Sequence, residues 1–452
     1  MGKTTLLKIR KGFGRVAVCG FGLLVVLFFV PSNVYSQITA RGLGMGGAYT
    51  ALARGVHAQS WNPANLGLPD NSKFSMTFIS VEAGVWNNSF SKEMYDKYNG
   101  AVWDEDDIKD ILDHIPSKGL DLDVQAFVRS MSFSVGRFAL SFGVRAGSYV
   151  RVDKTFFEIP LQGNELNQEY SLSDTEGEGL GLGVVGLSWG QPVNVSFAKA
   201  FAVGGTLNLL YGVGYGHLDK AEFTLNTATT GFKLDGEYEV KYALPVEDGA
   251  GNIGMGWGLD LGAAAQIGDR WTVSLALANI YSSLPWSEGV KKEAGYVRGD
   301  SLNVVNLTEK EDEENAIEDS SWTIEGGRFT SKLPTILRLG CAYQEGTILL
   351  SADYSQGFEN GVLASTTPQF AFGAEWKGLS WLPLRLGLVM GGKVGFGTAF
   401  GLGIRPGGFV LDLGVLNRGF ALPKKSKGVI AAIELGIDLQ REKSETLKVG
   451  DF

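Results

Sequence analysis

From Lys73 onward one pattern dominates the chain: bulky apolar residues alternate with small or polar ones at a period of two, which restricts these segments to β-strands. Over residues 201–216, Phe201, Val203, Leu207, Leu209, Tyr211, Val213 and Tyr215 share one face, against Ala202, Gly204, Thr206, Asn208, Gly212 and Gly214. Trp271, Val273, Leu275, Leu277 and Tyr281 repeat it against Thr272, Ser274, Ala276 and Ala278, and Leu382, Leu384, Leu386 and Leu388 repeat it against Arg385 and Gly387. A soluble sandwich would turn its bulky face inward and a charged face to water. Here the non-bulky face is Gly, Ala and Ser with isolated charges, and aromatics recur toward strand ends, which is the pattern of an enclosed lumen inside an apolar belt.

The alternation predicts strands at 72–86, 123–135, 137–150, 178–190, 199–216, 252–267, 270–282, 332–344, 347–358, 366–376, 381–390, 393–404, 408–418 and 428–439. That is an even number, fourteen, as single-chain bacterial barrels require. The connections 87–122, 151–177, 217–251 and 283–331 are long and read as outer loops, while those around Gly136, Gly268-Asp269 and Glu345-Gly346 are tight. In 178–190, Gly181, Gly183 and Gly186 interrupt the alternation, which predicts a bulge or kink. After the N-terminal region no apolar run reaches about 18 residues, so a closed barrel is the remaining way to span lipid. Glycine supplies 63 of 452 residues, against a usual share of about 7 %, and it lies inside strands rather than in linkers.

Residues 1–36 read as an export signal: Lys3, Lys8, Arg10, Lys11 and Arg15 precede an apolar run over 16–30, with cleavage expected before Gln37. Cys19 leaves with that segment, so Cys341 is the one cysteine of the mature chain and no internal disulfide is expected. With five positive charges removed, 35 Lys and Arg face 49 Asp and Glu. Such an acidic chain is not suited to nucleic acid or to an anionic membrane surface held by charge.

Between the signal and the first strand stand Arg41-Gly-Leu-Gly-Met-Gly-Gly-Ala-Tyr-Thr-Ala-Leu52 and Trp61-Asn-Pro-Ala64. This opening resembles that of the FadL family of outer-membrane transporters for long-chain fatty acids and other hydrophobic compounds. It is also similar to the openings of PorV-like secretion accessory proteins and of uncharacterised glycine-rich outer-membrane families. Leu161-Gln-Gly-Asn164 and the helix at 104–115 are closer to the uncharacterised families. The resemblance implies an all-β, fourteen-stranded antiparallel transmembrane β-barrel, residues 72–440, plugged by an N-terminal hatch, residues 37–71, with a tail at 441–452. Carried over, Gly44, Gly46 and Gly47 would form the tight hatch backbone and Asn62, Pro63 and Ala64 its inner turn, with Arg41 and Met45 in the same hatch; Trp61 is large enough to wedge the plug or is an ordinary buried aromatic. Glycine permits positive φ and close approach to a wall, and Asn62 before Pro63 is pushed toward an extended conformation. The acidic loop and the lack of an evidently apolar lumen depart from the fatty-acid transporters.

By register, Arg145, Asp260, Arg338, Asp353, Glu375, Arg385, Asp412, Glu434 and Asp438 point into the lumen. Charges of both signs there either hold a plug by ion pairs or line a polar path. Asp104-Glu-Asp-Asp107 offers an acidic first turn to a helix whose Ile108, Ile111, Leu112 and Ile115 share a face. With Phe156, Phe157 and Ile159 they form a candidate capture surface for hydrophobic solute, or a roof packed on itself. The acidic run 309–319 lacks the spacing of a calcium loop and reads as a solvated loop tip.

His57, His114 and His217 have no metal-ligand spacing, no serine stands in a Gly-x-Ser-x-Gly elbow, and Gly42-Leu-Gly-Met-Gly-Gly47 lacks the βαβ context of a dinucleotide site. The expected protein is therefore a non-enzymatic barrel of the bacterial outer membrane, without cofactor. It contacts lipid and lipopolysaccharide and admits small hydrophobic molecules past its hatch. The alternative is a structural or secretion-accessory barrel whose loops bind a protein partner.

Overall fold

The computed structural model describes residues 39–229, 231–245, 254–302, 317–362, 364–420 and 423–439. The expected export signal (1–36), the expected C-terminal tail (441–452) and residues 309–316 of the acidic run lie outside the described residues. Nineteen strands follow in chain order: β1 (Phe74–Asn87), β2 (Leu120–Val135), β3 (Phe138–Val152), β4 (Glu169–Ser171), β5 (Glu176–Val193), β6 (Ala200–Ala228), β7 (Gly231–Ala243), β8 (Gly254–Ile267), β9 (Trp271–Trp286), β10 (Val290–Leu302), β11 (Ile317–Glu325), β12 (Phe329–Ser331), β13 (Ile336–Glu345), β14 (Ile348–Gly357), β15 (Gln369–Trp376), β16 (Leu384–Gly391), β17 (Gly395–Ile404), β18 (Phe409–Arg418) and β19 (Gly428–Leu439). Fourteen of them, β1, β2, β3, β5, β6, β8, β9 and β13 to β19, pair antiparallel in a ring that β1 and β19 close. The expected fold class is the observed one.

The outward face carries the belt that the alternation predicts. Leu207, Leu209, Leu275, Leu350, Phe372, Leu386, Phe400 and Ile433 are exposed around the ring. Toward the tight-turn end lie Trp271 and Tyr343, ring centroids 4.7 Å apart, and toward the long-loop end Trp257 stacks on Tyr281 at 4.4 Å. Amphipathic rings at two levels with aliphatic side chains between them match a membrane's two interfaces and its hydrocarbon.

Three of the expected outer loops, 151–177, 217–251 and 283–331, contain strands. β6 continues far past the barrel rim; its outer half pairs with β4 on one side and β7 on the other, β7 with β10 and β10 with β11, making a five-stranded sheet beyond the wall. β7 alternates as a strand should, Phe232, Leu234, Tyr238, Val240 and Tyr242 on one face against Lys233, Asp235, Glu237, Glu239 and Lys241 on the other, whereas β10 and β11 mix charged and apolar residues on each face. One face carries cross-strand ion pairs, Lys220 to Glu237 at 2.8 Å and Lys292 to Glu239 at 2.5 Å, and the other an apolar cluster of Leu218, Ala221 and Val240 with Phe223, Tyr238 and Tyr242.

The glycine-rich strand β5 does meet an irregularity, but the extra residue lies on its neighbour. Gly181 pairs with Gly214 and Leu182 with Gly212, so Val213 of β6 is left over. A one-residue slip exchanges the faces of everything beyond it. Tyr215, expected beside Tyr211 on the outward face, is thereby turned inward, with 8 % exposure against 40 % for Tyr211.

That inversion adds Tyr215 to an apolar cluster at the outer end, where the sequence offered no evidently apolar lumen. Tyr215 joins Leu180, Leu182, Leu210, Leu284, Trp286, Leu333 and Val362, with Phe329 packed on the group. Val362 arrives from the β14–β15 connection, which folds inward; its N–H donates to Glu178 Oε2 at 2.9 Å.

Candidate functional site

The functional candidates converge on residues 39–72, which run inside the ring. Helix α1 (Ala40–Gly44) is capped by Thr39, whose Oγ1 accepts the Gly42 N–H at 3.0 Å. The backbone of residues 40–46 presses on the inner faces of β15 to β18, where four lumenal glycines make room. A Cβ on Gly373 would meet Met45 at 2.7 Å, one on Gly387 the Gly46 nitrogen at 2.2 Å, one on Gly401 the Gly44 Cα at 2.8 Å, and one on Gly414 the Ala40 oxygen at 2.3 Å. Gly46 and Gly47 have φ of 66° and 89°, a region that a side chain disfavours.

The second motif docks on the opposite wall. Helix α2 (Ala58–Trp61) ends at Asn62, whose side chain accepts the Ala64 N–H at 3.0 Å and donates to Ala263 O at 3.0 Å and Leu275 O at 3.2 Å. One buried amide thus caps the turn at Pro63 and grips carbonyls of β8 and β9. A Cβ on Gly204 would fall 2.5 Å from the Pro63 carbonyl carbon, which explains why this turn faces a glycine.

Charged side chains fasten the beginning of the segment. Arg41 forms a bidentate pair with Glu375, at 2.9 and 2.8 Å. Arg385, fully buried, donates to Glu375 at 2.6 Å and to Asp412 at 2.7 Å, and Arg405 reaches the other Asp412 oxygen at 2.5 Å. Asp353 Oδ2 accepts the N–H groups of Tyr49 and Thr50 at 3.0 and 2.7 Å, and His57 lies 2.5 Å from Glu434. Arg338 donates to Ser60 O at 2.9 Å with its guanidinium 5.4 Å over the Trp61 ring, and Arg129 donates to Ser60 Oγ. Asp260 instead braces the wall, accepting Asn279 N–H at 2.7 Å and the Asn208 amide at 2.8 Å.

Two clefts flank this segment. The outer is lined by Gly47, Thr50, Trp61, Arg338, Asp353, Lys393 and the β14–β15 connection. The inner is lined by Arg41, Tyr49, His57, Arg405, Glu434 and Asp438. Tyr49 and Trp61 stand between them edge to face, centroids 5.5 Å apart. Tyr49 is held by Arg41 Nη1 at 3.5 Å and by His57 Nδ1 at 3.3 Å.

All eight register-assigned charges from Arg145 to Glu434 are buried, and Asp438 is half-buried. Glu82 and Arg129 are buried as well; neither stood out in the sequence, although the same alternation on β1 and β2 places them inward. His57, Tyr49 and Arg405 were equally inconspicuous, because their partners come from distant strands. The capture candidates separate. Helices α3 (Lys92–Tyr98) and α4 (Glu105–Asp113) pack together through Met94, Tyr98 and Ile111, with Leu161 against them. Ile111, Leu112 and Ile115 are buried and Ile108 half-buried. On α5 (Thr155–Gln162) Phe156 is exposed, and Phe157 and Ile159 half-buried. Hydrogen bonds to Asp110 from Tyr98, and from Lys97 at 3.4 Å, tie α3 to α4 and hold the Asp110 carboxyl below its ordinary range. His114 bonds Asp110 O at 2.7 Å and His217 lies 3.7 Å from Asp219, so the three histidines stay apart.

A family model described as a family of unknown function, DUF5723, matches residues 63–415. The chain belongs to that family. No curated protein matches the sequence. Among solved structures, the P. putida toluene transporter TodX matches with a TM-score of 0.51 at 10 % identity, over 90 % of this chain and 100 % of that one. The Ralstonia pickettii toluene transporter TbuX matches with 0.48 at 16 %, over 89 % and 99 %, and a Pseudomonas aeruginosa FadL homologue with 0.49 at 13 %, over 90 % and 99 %. The likeness to TodX shows that this DUF5723 member has the FadL-like barrel fold that its opening residues implied.

Proposed function

We propose that the protein is an outer-membrane barrel for small hydrophobic molecules, long-chain fatty-acid-like in class, in which residues 37–71 act as a hatch. The observation that carries this reading is the pair of clefts facing each other across Tyr49 and Trp61. Trp61 lines the outward-facing space and Tyr49 the inward-facing one, and their rings meet edge to face between the two. The apolar cluster around Trp286 gives hydrophobic solute an environment beside the outer cleft. The fold of TodX, a toluene transporter, supports the same class of cargo. No chemical step is required of any residue.

The test is conductance of purified barrels in planar bilayers. Tyr49→Ala with Trp61→Ala leaves the Arg41–Glu375 anchor in place and should raise conductance several-fold over the parent. Folded double-variant barrels with parental conductance and parental uptake of a fluorescent fatty acid would sink the hatch reading.

A further inference from the structure

A chain of hydrogen bonds crosses the hatch through Tyr49. His57 ends the short helical turn Gly55–His57 and lines the inner cleft. Its Nε2 lies 2.5 Å from Glu434 Oε1, and its Nδ1 lies 3.3 Å from the Tyr49 hydroxyl. Arg41 Nη1 donates to that hydroxyl at 3.5 Å, and the Thr77 hydroxyl donates to Glu434 Oε1 at 3.2 Å. Imidazole is ordinarily the stronger base of a histidine–carboxylate pair, and Glu434 Oε1 already accepts from Thr77, so Nε2 holds the shared proton. A neutral imidazole has one donor and one acceptor. With Nε2–H given to Glu434, Nδ1 is the acceptor and the Tyr49 O–H donates to it. Arg41 to Tyr49, Tyr49 to His57 and His57 to Glu434 then form one directed series in which every donor meets an acceptor.

A second proton on His57 breaks the direction of that series. Nδ1 becomes a donor, so the tyrosine oxygen faces N–H groups from Arg41 and His57 together, and its own proton has no acceptor among the described residues. Tyr49 is 1 % exposed, and a buried donor without an acceptor carries its full desolvation cost. The imidazolium keeps its contact with Glu434, which complements its charge. The other charged groups around it are Arg41 of α1, bound to Glu375; Arg54 of the hatch, bound to Asp70; Arg405, bound to Asp412; Asp438 of β19; and Arg129 of β2, beside Glu434. Carboxylates and guanidiniums ordinarily keep their charge between about pH 5 and pH 8, the range in which an imidazole changes its own. We propose that His57 is a proton-operated latch on the hatch. Neutral, it holds the Tyr49 hydroxyl and keeps that ring against Trp61; protonated, it stays with Glu434 and releases Tyr49 toward the inner cleft. The latch rests on the hatch reading above and adds its regulation: acid loosens the hatch.

The test is single-barrel conductance of the full chain in planar bilayers at fixed salt, from about pH 8 to about pH 5, with the Tyr49→Ala, Trp61→Ala double variant as the open reference. Parent barrels should conduct several-fold more at the acid end. His57→Gln, which offers Glu434 a donor and Tyr49 an acceptor but takes no proton, should hold one conductance across the range. Tyr49→Phe keeps the ring and removes the hydroxyl whose bond reverses, so it should be flat as well, and it decides the matter where His57→Gln fails to insert. A flat parent beside a reference that conducts several-fold more would overturn the latch and leave the hatch reading standing. A reference no more conductive than the parent would remove the hatch reading, and the latch with it. An acid step that persists in His57→Gln or in Tyr49→Phe would show that it does not run from His57 through Tyr49, and would also overturn the proposal.

Discussion

The glycines inside the strands and the buried ions of the lumen serve one purpose at the scale of single residues. Gly373, Gly387, Gly401 and Gly414 let backbone lie against backbone, and Glu375 and Asp412 then receive the arginines that come with the segment and the wall. Because Arg41 and Arg385 both bind Glu375, Glu375→Gln leaves the part-buried Arg41 without its carboxylate and the buried Arg385 with Asp412 alone. Removing one member of a buried pair costs about 3–5 kcal/mol. Thermal unfolding in detergent, followed by gel mobility, should register a loss of that order, and a loss below about 1 kcal/mol would mean that the network contributes little. The inward direction of these charges was legible, since the period of two assigns faces. Which charge meets which was not, because Arg41 and Glu375 are 334 residues apart.

Among elements, β6 departs most from its sequence pattern. The alternation is read one strand at a time, whereas a bulge is decided by the ladder to β5, and Val213 has no local mark of being the extra residue. The apolar cluster of Tyr215, Trp286 and Phe329 was therefore invisible before the strands were paired. Of the packed loop helices α3 and α4 only α4 was legible: Asp104 accepts the Asp107 N–H at 2.9 Å as its cap, and the spacing of Ile111, Leu112 and Ile115 marks a packed face. Their junction also carries a pH dependence. Folding lowers the Asp110 pKa, chiefly through the Tyr98 hydrogen bond, so its contribution is present above the ordinary aspartate value and is lost as pH falls through the lowered one. Hydrogen exchange in α3 and α4, corrected for intrinsic rates, should quicken as pH drops below about 4. In Asp110→Asn this pH-dependent component should vanish; its persistence would place the sensitive group elsewhere.

For the whole molecule, the membrane reading rests on the outward belt. Leu207 lies midway along the barrel portion of β6 and is exposed. Leu207→Arg should therefore lower stability in lipid vesicles by about 2–4 kcal/mol, the cost of a cation near the bilayer midplane. Urea titration of vesicle-folded protein measures this, and an unchanged midpoint would contradict a lipid-facing belt. The sequence by itself determined the closed barrel and its strand number, because a period of two with a bulky outward face has one stable solution when no helix can span lipid. Only the tertiary structure decided that Tyr49 and Trp61 meet edge to face between an outer and an inner cleft, that a slipped ladder turns Tyr215 into an apolar cluster, and that apparent loops rise as a sheet. Each depends on strands distant in the chain meeting in a register that local periodicity does not encode.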